Sequence, residues 1–379
     1  MEPTARPRIL YLDCAPFTGG AQESLLALVE GLAGSPWRAC VLSADRSPQG
    51  LLAQCRRGGL PVGELRTAHW PLTAAGLVRF AWDRTLAGRR LQQAVREWRP
   101  AMVHANGVRA GLLVPTAVRR QGPVILHDRD LRVPRWVVGF LSRRVDQVVA
   151  ISRCVAEKWE RPPVAVPIQV VPNGFEVAAM ATTEPARGWG TPAKALRAVL
   201  VADLVPWKRH EVFLEALALA RQAGVEVAGL VVGRPRSARD RGYLRDLVGT
   251  AARLGLGSEV RFVTDATSAL PWIAAASVVV STATDEPFGR TVIEALALGK
   301  PVVAVEAAGP GEILAGCPAA TLTGPAPAAV AEGLCQWLEP LRRTAAREPA
   351  RAWAARYDRQ AMVAALCTLY DNLARRPTP

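Results

Sequence analysis

Two glutamates eight residues apart, Glu286 and Glu294, frame the stretch Asp285-Glu-Pro-Phe-Gly-Arg-Thr-Val-Ile-Glu294-Ala-Leu-Ala-Leu-Gly-Lys-Pro. An apolar run at 278–281 precedes it, a Pro-Phe-Gly turn interrupts it, and a helical pattern follows. The first turn of such a helix carries backbone N–H groups with no intrahelical acceptor, and the helix dipole adds positive potential there. The first helical turn, near Arg290, Thr291 and Val292, is therefore suited to hold phosphate. If about five of the eight steps are helical at ~1.5 Å each, the two carboxylates stand several Å to either side of that anion. A ligand with hydroxyls at both ends and phosphates between them, a nucleotide sugar, matches the layout. On spacing alone such a pair is more often a solvated helix face; the strand, turn and helix around it favour the site.

Other candidates sit at the ends of apolar runs. Gly19 and Gly20 follow the first run and precede a helical pattern at 22–32, where the lack of a Cβ lets backbone approach a phosphate. Lys208, with Arg209 beside it, lies beyond the run 198–202, and a cation there can offset charge that develops on a leaving diphosphate. His104 and His127 each end a run; His69 and His210 read as structural. Asp128-Arg-Asp130 spells D-x-D, a metal-binding pattern of a different fold, and is taken as coincidence. No His/Cys cluster has metal-ligand spacing, and no metal or other cofactor is expected. There is no G-x-G-x-x-G, which weakens a dinucleotide reading.

The elements that must position these residues alternate in type. Strand-like runs at 8–12, 38–43, 102–104, 124–127, 147–151 and 168–171 are separated by helical patterns, notably 22–32 and 86–98. The alternation restarts with runs at 198–202, 228–232, 260–263, 278–281 and 301–305. This is the pattern of α/β domains with parallel sheets. Residues 176–195, rich in Ala, Thr, Pro and Gly without apolar periodicity, read as a linker. A chain of 379 residues exceeds what one core supports, so two successive doubly wound domains are expected, with ligands at the carboxyl ends of their strands.

Composition narrows the setting. Half the residues are apolar and a fifth charged, which excludes disorder or a fibrous repeat. The net charge of +14 is concentrated in residues 1–175, where 24 Lys and Arg face 13 Asp and Glu. Two stretches carry much of it and interleave aromatic residues: Arg79-Phe-Ala-Trp-Asp-Arg84 continuing to Arg99, and Arg129 to Arg144 with Trp136 and Phe140. Arginines around a Trp/Phe/Leu face suit an anionic membrane surface, and equally suit solvated helices packed on a sheet. Seven scattered cysteines with no C-x-x-C, and no apolar segment that reads as a signal or a span, lead to the expectation of a cytoplasmic protein that can sit peripherally on the inner face of the cell membrane.

The chain resembles the retaining glycosyltransferases of family 4. The resemblance rests on Glu286-Pro-Phe-Gly through Glu294-Ala, which matches that family's E-x7-E motif. It extends to Gly299-Lys-Pro-Val-Val, Gly309-Pro-Gly-Glu-Ile, Val171-Pro-Asn-Gly174, Val205-Pro-Trp-Lys-Arg-His-Glu, Gly19-Gly20-Ala-Gln-Glu and Ile151-Ser-Arg-Cys. It implies the GT-B fold: two Rossmann-like domains facing across a cleft. Residues 1–175 would bind acceptor, 196–355 the nucleotide sugar, and a C-terminal helix in 356–379 would pack back on the first domain. It further implies that Glu286 contacts the donor sugar, Glu294 the ribose hydroxyls, and the amides of 288–292 the diphosphate. Gly19, Gly20, Lys208 and Arg209 would join the donor site, and His127 would stand where the family often has a His-Asp pair at the donor sugar. His104, Asn106 and Asp128 are candidates for the acceptor side.

The implied activity is metal-independent, retaining transfer of a hexose from a nucleotide-diphosphate sugar to a glycan, lipid-linked or small-molecule acceptor. One departure is that Asp203 stands where the family commonly has arginine, so Asp203 is expected either to point away or to pair with Arg209. Two other readings stay open. Asp203 favours a catalytically silent nucleotide-sugar-binding protein, against which the intact Glu286/Glu294 pair speaks. The basic first half suggests nucleic acid as partner, which the lack of any recognised binding module disfavours.

Overall fold

The computed structural model describes residues 6–67, 74–161, 166–189 and 195–375, with backbone alone for 74–81 and 83. The chain divides into two compact units, one of Met1–Phe175 with Arg359–Pro379 and one of Glu176–Asp358.

The first unit holds a seven-stranded sheet: β1 (Arg8–Asp13), β2 (Arg38–Ser43), β3 (Val62–Glu64), β4 (Met102–Asn106), β5 (Val124–Asp128), β6 (Gln147–Ala150) and β7 (Ile168–Val170). Their order is β3-β2-β1-β4-β5-β6-β7, and every pairing is parallel. The second unit repeats the scheme with β8 (Leu196–Val201), β9 (Val227–Val232), β10 (Val260–Val263), β11 (Val278–Ser281), β12 (Val302–Val305) and β13 (Ala320–Thr323), ordered β10-β9-β8-β11-β12-β13. These strands are almost continuously apolar, as β9 (VAGLVV) shows, because helices cover both faces of each sheet. The strands expected from the apolar runs all form, with ends within two residues of expectation. Two were not anticipated, β3 and β13, both short edge strands.

In each sheet the winding reverses once, between β1 and β4 and between β8 and β11. At such a point the two connections leave in opposite directions and open a crevice beyond the strand ends, where open α/β sheets bind ligands. The first unit's sheet separates two apolar layers. One joins Leu10, Leu12 and Leu42 to Leu91, Trp98 and Trp159. The other joins Ile9, Tyr11 and Val41 to Leu25, Leu28 and the terminal helix Arg359–Ala374, which contributes Met362, Leu366, Tyr370 and Leu373. No helix among the described residues is long and apolar enough to cross a membrane.

Candidate active site

In the second unit the crevice at the β8/β11 reversal is a small cavity lined by residues at the ends of both strands, with Lys208, Glu286, Gly289, Thr291 and Val292. The segment beyond β11 turns through Gly289, whose φ of 103° lies in the left-handed region that glycine adopts without steric cost, and enters the helix Arg290–Ala297. That helix has no side-chain cap. Thr291 Oγ1 lies 3.3 Å from the Val201 carbonyl and ties the helix start to β8. Buried Thr282 places its hydroxyl 2.8 Å and 2.9 Å from the carbonyls of Lys208 and Arg209, which fixes the loop after β8 against the end of β11.

The ammonium of Lys208 and the carboxylate of Glu286 form a hydrogen-bonded ion pair in this cavity, both side chains largely buried. Lys208 Nζ also lies 4.0 Å from the ring centre of the half-exposed Trp207. Glu294 sits one turn into the helix, 3.6 Å from Arg290, and does not line the cavity. The ring of Phe288 is buried edge-on to Tyr357 and does not line the cavity. Gly309 N donates to the Glu286 carbonyl at 2.9 Å and holds the turn from behind.

Arg209 is not placed as the second half of a cation clamp. Its guanidinium donates to the Pro325 carbonyl at 3.0 Å, and its backbone is left-handed (φ 56°, ψ 47°). Asp203 neither points away unpaired nor meets Arg209: it pairs with Arg236 at 2.8 Å. The extra arginine on the following loop cancels the carboxylate locally.

In the first unit a cavity of about 140 Å³ occupies the β1/β4 reversal. Its lining includes Asp13, Gln22, Asn106, Arg109, Arg129 and Asp130. Gln22 closes the Gly19-Gly20 loop over it: its Oε1 accepts from Gly19 N at 3.1 Å while its Nε2 donates to Asp13 at 2.8 Å. The buried Asp13 carboxylate also accepts from Asn106 and Ser43, each at 3.0 Å. Burial outweighs these donors and raises its pKa. Arg129 extends the network, donating to Asn106 at 2.7 Å and to Asn173 at 2.6 Å.

His104 and His127 belong to a buried chain behind this cavity. Tyr11 and Tyr370 hydroxyls are 3.1 Å apart, Tyr370 is 2.9 Å from His104 Nδ1, and His104 Nε2 is 3.1 Å from His127 Nδ1. Arg129, 3.5 Å from the same His127 Nδ1, can only donate. The other ring nitrogen of His127, Nε2, is buried and has no partner among the described residues. Burial and the Arg129 charge hold both histidines well below the ordinary value, His104 at about 3. Asp128 lines neither cavity; its carboxylate accepts from Lys158 and from Trp159 Nε1, each at 2.6 Å. His210 is buried beside the Tyr243 ring, and His69 lies outside the described residues.

The family model described as Glycosyltransferase Family 4 matches residues 18–179, and that described as Glycosyl transferases group 1 matches 195–340. The chain is a glycosyltransferase of the family 4 type. Its two parallel-sheet units are those of the GT-B fold. A crystal structure of Anabaena Alr3699/HepE in complex with UDP and glucose superposes with a TM-score of 0.79 at 23% identity, covering 96% of this chain and 99% of that one. A glycosyltransferase from Rickettsia africae gives 0.80 at 16% identity, over 98% and 100%. Among curated proteins, the lipopolysaccharide core biosynthesis glycosyltransferase LpsE of Rhizobium meliloti is 27% identical over 233 residues, which are 60% of this chain and 62% of that relative.

Sequence reasoning placed this glycosyltransferase's Lys208, Glu286, Gly289, Thr291 and Val292, and the structure gathers them in one cavity. It missed Asp13, Gln22, Arg109, Arg129, Asp130 and Asn173. The usable signal was polar residues ending apolar strands, Asp13 after ILYL being the clearest.

Proposed function

We propose that the protein is a retaining glycosyltransferase that moves a hexose from a nucleotide-diphosphate sugar to a glycan or lipid-linked acceptor without a metal. The observation that carries this reading is the Lys208–Glu286 pair in the cavity at the start of helix Arg290–Ala297. The helix start and Lys208 would receive the diphosphate, so that charge developing on the leaving group meets a fixed cation and oriented N–H groups. Glu286, released from Lys208 by the diphosphate, would accept from the sugar hydroxyls, and Glu294 from the ribose. In the first unit, His127 Nε2 is a buried polar atom to which a sugar hydroxyl, able to donate or accept, would supply the missing partner. The leaving phosphate would take the acceptor's proton, so the protein's share is positioning and electrostatics.

The acceptor would bind at the Asp13/Asn106/Arg109 cavity, whose carboxylate and amide groups suit sugar hydroxyls. Exposed Trp82, Leu86 and Trp136, with Arg84 and Arg144 over the Phe140 ring, support a peripheral seat on an anionic membrane. The complex of the Anabaena protein makes UDP the nucleotide to try first.

A thermal-shift panel of UDP, GDP, ADP and TDP, with and without EDTA, tests the donor half. A ligand at ~100 times its Kd adds about 2.7 kcal/mol. One nucleotide should stabilise the protein equally with EDTA; stabilisation abolished by EDTA would overturn the metal-free reading, and no response to any would overturn the donor site.

A further inference from the structure

A second cavity of the first unit, about 780 Å³, plays no part in the site above. Its volume lies in the range of small-molecule sites, about 300–1,000 Å³. The loop leaving β5 separates it from the Asp13 cavity: Arg129 and Asp130 line the first, and Leu131 to Arg135 line the second. The two differ in charge. The Asp13 cavity sets Asp13 and Asp130 against Arg109 and Arg129. The second has Arg132, Arg135, Lys158 and Arg161 in its lining and, among the described residues, no carboxylate; Lys158 pairs with Asp128 from outside the lining. Its remaining wall is apolar, dominated by Trp136, which is 60% exposed, with Leu131, Val133 and Pro134.

Like-signed charges around one concavity raise the local potential and select anions. Arginine forks match phosphate in geometry as well as charge. An exposed indole offers a flat apolar face to the C–H groups of a sugar ring. We propose that this cavity binds a phosphorylated saccharide unit of the acceptor, with phosphate on Arg132, Arg135 and Arg161 and the ring on Trp136, while a neutral, hydroxylated neighbour occupies the Asp13 cavity. The inference rests on the glycosyltransferase reading and names its acceptor class: an anionic glycan.

The test is calorimetric titration of the full chain with glucose 6-phosphate, glucose, inorganic phosphate and phosphatidylglycerol vesicles, at two salt concentrations. Each is repeated with R132Q/R135Q/R161Q and with W136A. These side chains are exposed, so their loss leaves the core intact. Glucose 6-phosphate should bind at least tenfold tighter than glucose or phosphate, weaken with salt, and lose at least tenfold in the triple variant and severalfold in W136A. Equal binding of glucose and its phosphate, or full affinity in the triple variant, overturns the proposal. Phosphate matching glucose 6-phosphate overturns its saccharide half. Vesicles that bind through the same arginines while the sugar phosphate does not would overturn it in favour of a lipid surface. The UDP shift, measured on every variant, separates the two readings. Glucose 6-phosphate binding with no UDP response leaves this cavity standing without the donor site, and the converse removes the cavity alone.

Discussion

Gly309 lies behind the turn that carries Glu286, and its replacement by alanine gives a quantitative test of how that carboxylate is held. A Cβ on Gly309 would fall 2.4 Å from Phe288 O, 2.5 Å from its Cα and 2.6 Å from its carbonyl carbon. Ordinary contacts begin near 3.4 Å, so the backbone of 286–288 must retreat by about 1 Å. No flexible side-chain tip can yield here, because the colliding atoms are main chain. Overpacking of this kind costs about 1–3 kcal/mol of stability. Since Glu286 moves with the segment and its carbonyl loses the bond from Gly309 N, transfer should suffer more than folding. A displacement of ~1 Å at a reacting centre can cost about 10²-fold, equivalent to about 2.7 kcal/mol of transition-state stabilisation. Gly311→Ala is the control: its Cβ would meet Glu306 no closer than 3.4 Å, and alanine in that helix should be neutral or stabilising by ~0.5–1 kcal/mol. The assay is kcat/KM for transfer beside urea denaturation, both variants measured well below their melting temperatures. A Gly309→Ala enzyme with wild-type stability and rate would refute the account of the turn.

Further predictions concern both units. Glu286→Ala should reduce transfer by at least ~10²-fold while sparing UDP affinity, whereas Glu294→Ala should weaken UDP by roughly 10-fold or more through loss of hydrogen bonds to a charged acceptor; equal UDP affinity in the two variants would contradict the division of roles. Tyr370→Phe removes the hydroxyl that meets both Tyr11 and His104 and should lower the stability of the first unit by about 1–3 kcal/mol, read by denaturation, without changing the UDP shift. Stability should fall with acid from about pH 6.5: His104, His127 and His210 are held neutral, His104 near 3 and His210 near 4, so the unfolded chain takes up protons first. Each histidine contributes up to ~1.4 kcal/mol per pH unit, present in full above the unfolded value and lost as pH drops toward the folded one. His210→Gln should flatten the urea-midpoint profile between pH 6.5 and 4.5, and an unchanged slope would refute this.

The sheets were legible because both faces are covered, which writes each strand as an unbroken apolar run bounded by turn residues. The two missed strands lie on sheet edges. β3 is only VGE, and β13 alternates as ATLT, so neither forms an apolar run. The helix Ala74–Trp98 begins well before the expected residue 86, because its first turns carry arginines and aromatics with no clean apolar face. Glu286, Gly289, Thr291 and Val292 were legible because strand end, turn and helix start are contiguous in sequence. The network around Asp13 was not: Gln22, Ser43 and Asn106 donate to it from a helix and two strand ends, Arg129 and Asn173 join through Asn106, and no spacing records that. Asp203 shows the opposite failure. Its family position was readable, but its partner Arg236 comes from another loop, after β9.

The terminal helix has a consequence for how the molecule is made. Met362, Leu366, Tyr370 and Leu373 complete the apolar layer over β1 and β2, yet they are synthesised after the whole second unit. When Phe175 leaves the ribosome, the sheet of the first unit is complete, but the layer that Leu25, Leu28, Leu51 and Leu52 begin on one of its faces is only partly covered. Roughly 180 residues, a whole self-contained unit, must follow before the cover arrives, which at 5–20 residues per second is a delay of about 10–40 s. The second unit can finish folding in that interval while the first stays exposed to chaperones and to neighbouring chains. A nascent chain stalled before Arg359 would hold one closed unit and one open one. Premature termination between Arg359 and Ala374 would damage the unit whose strands β1 to β7 were translated first.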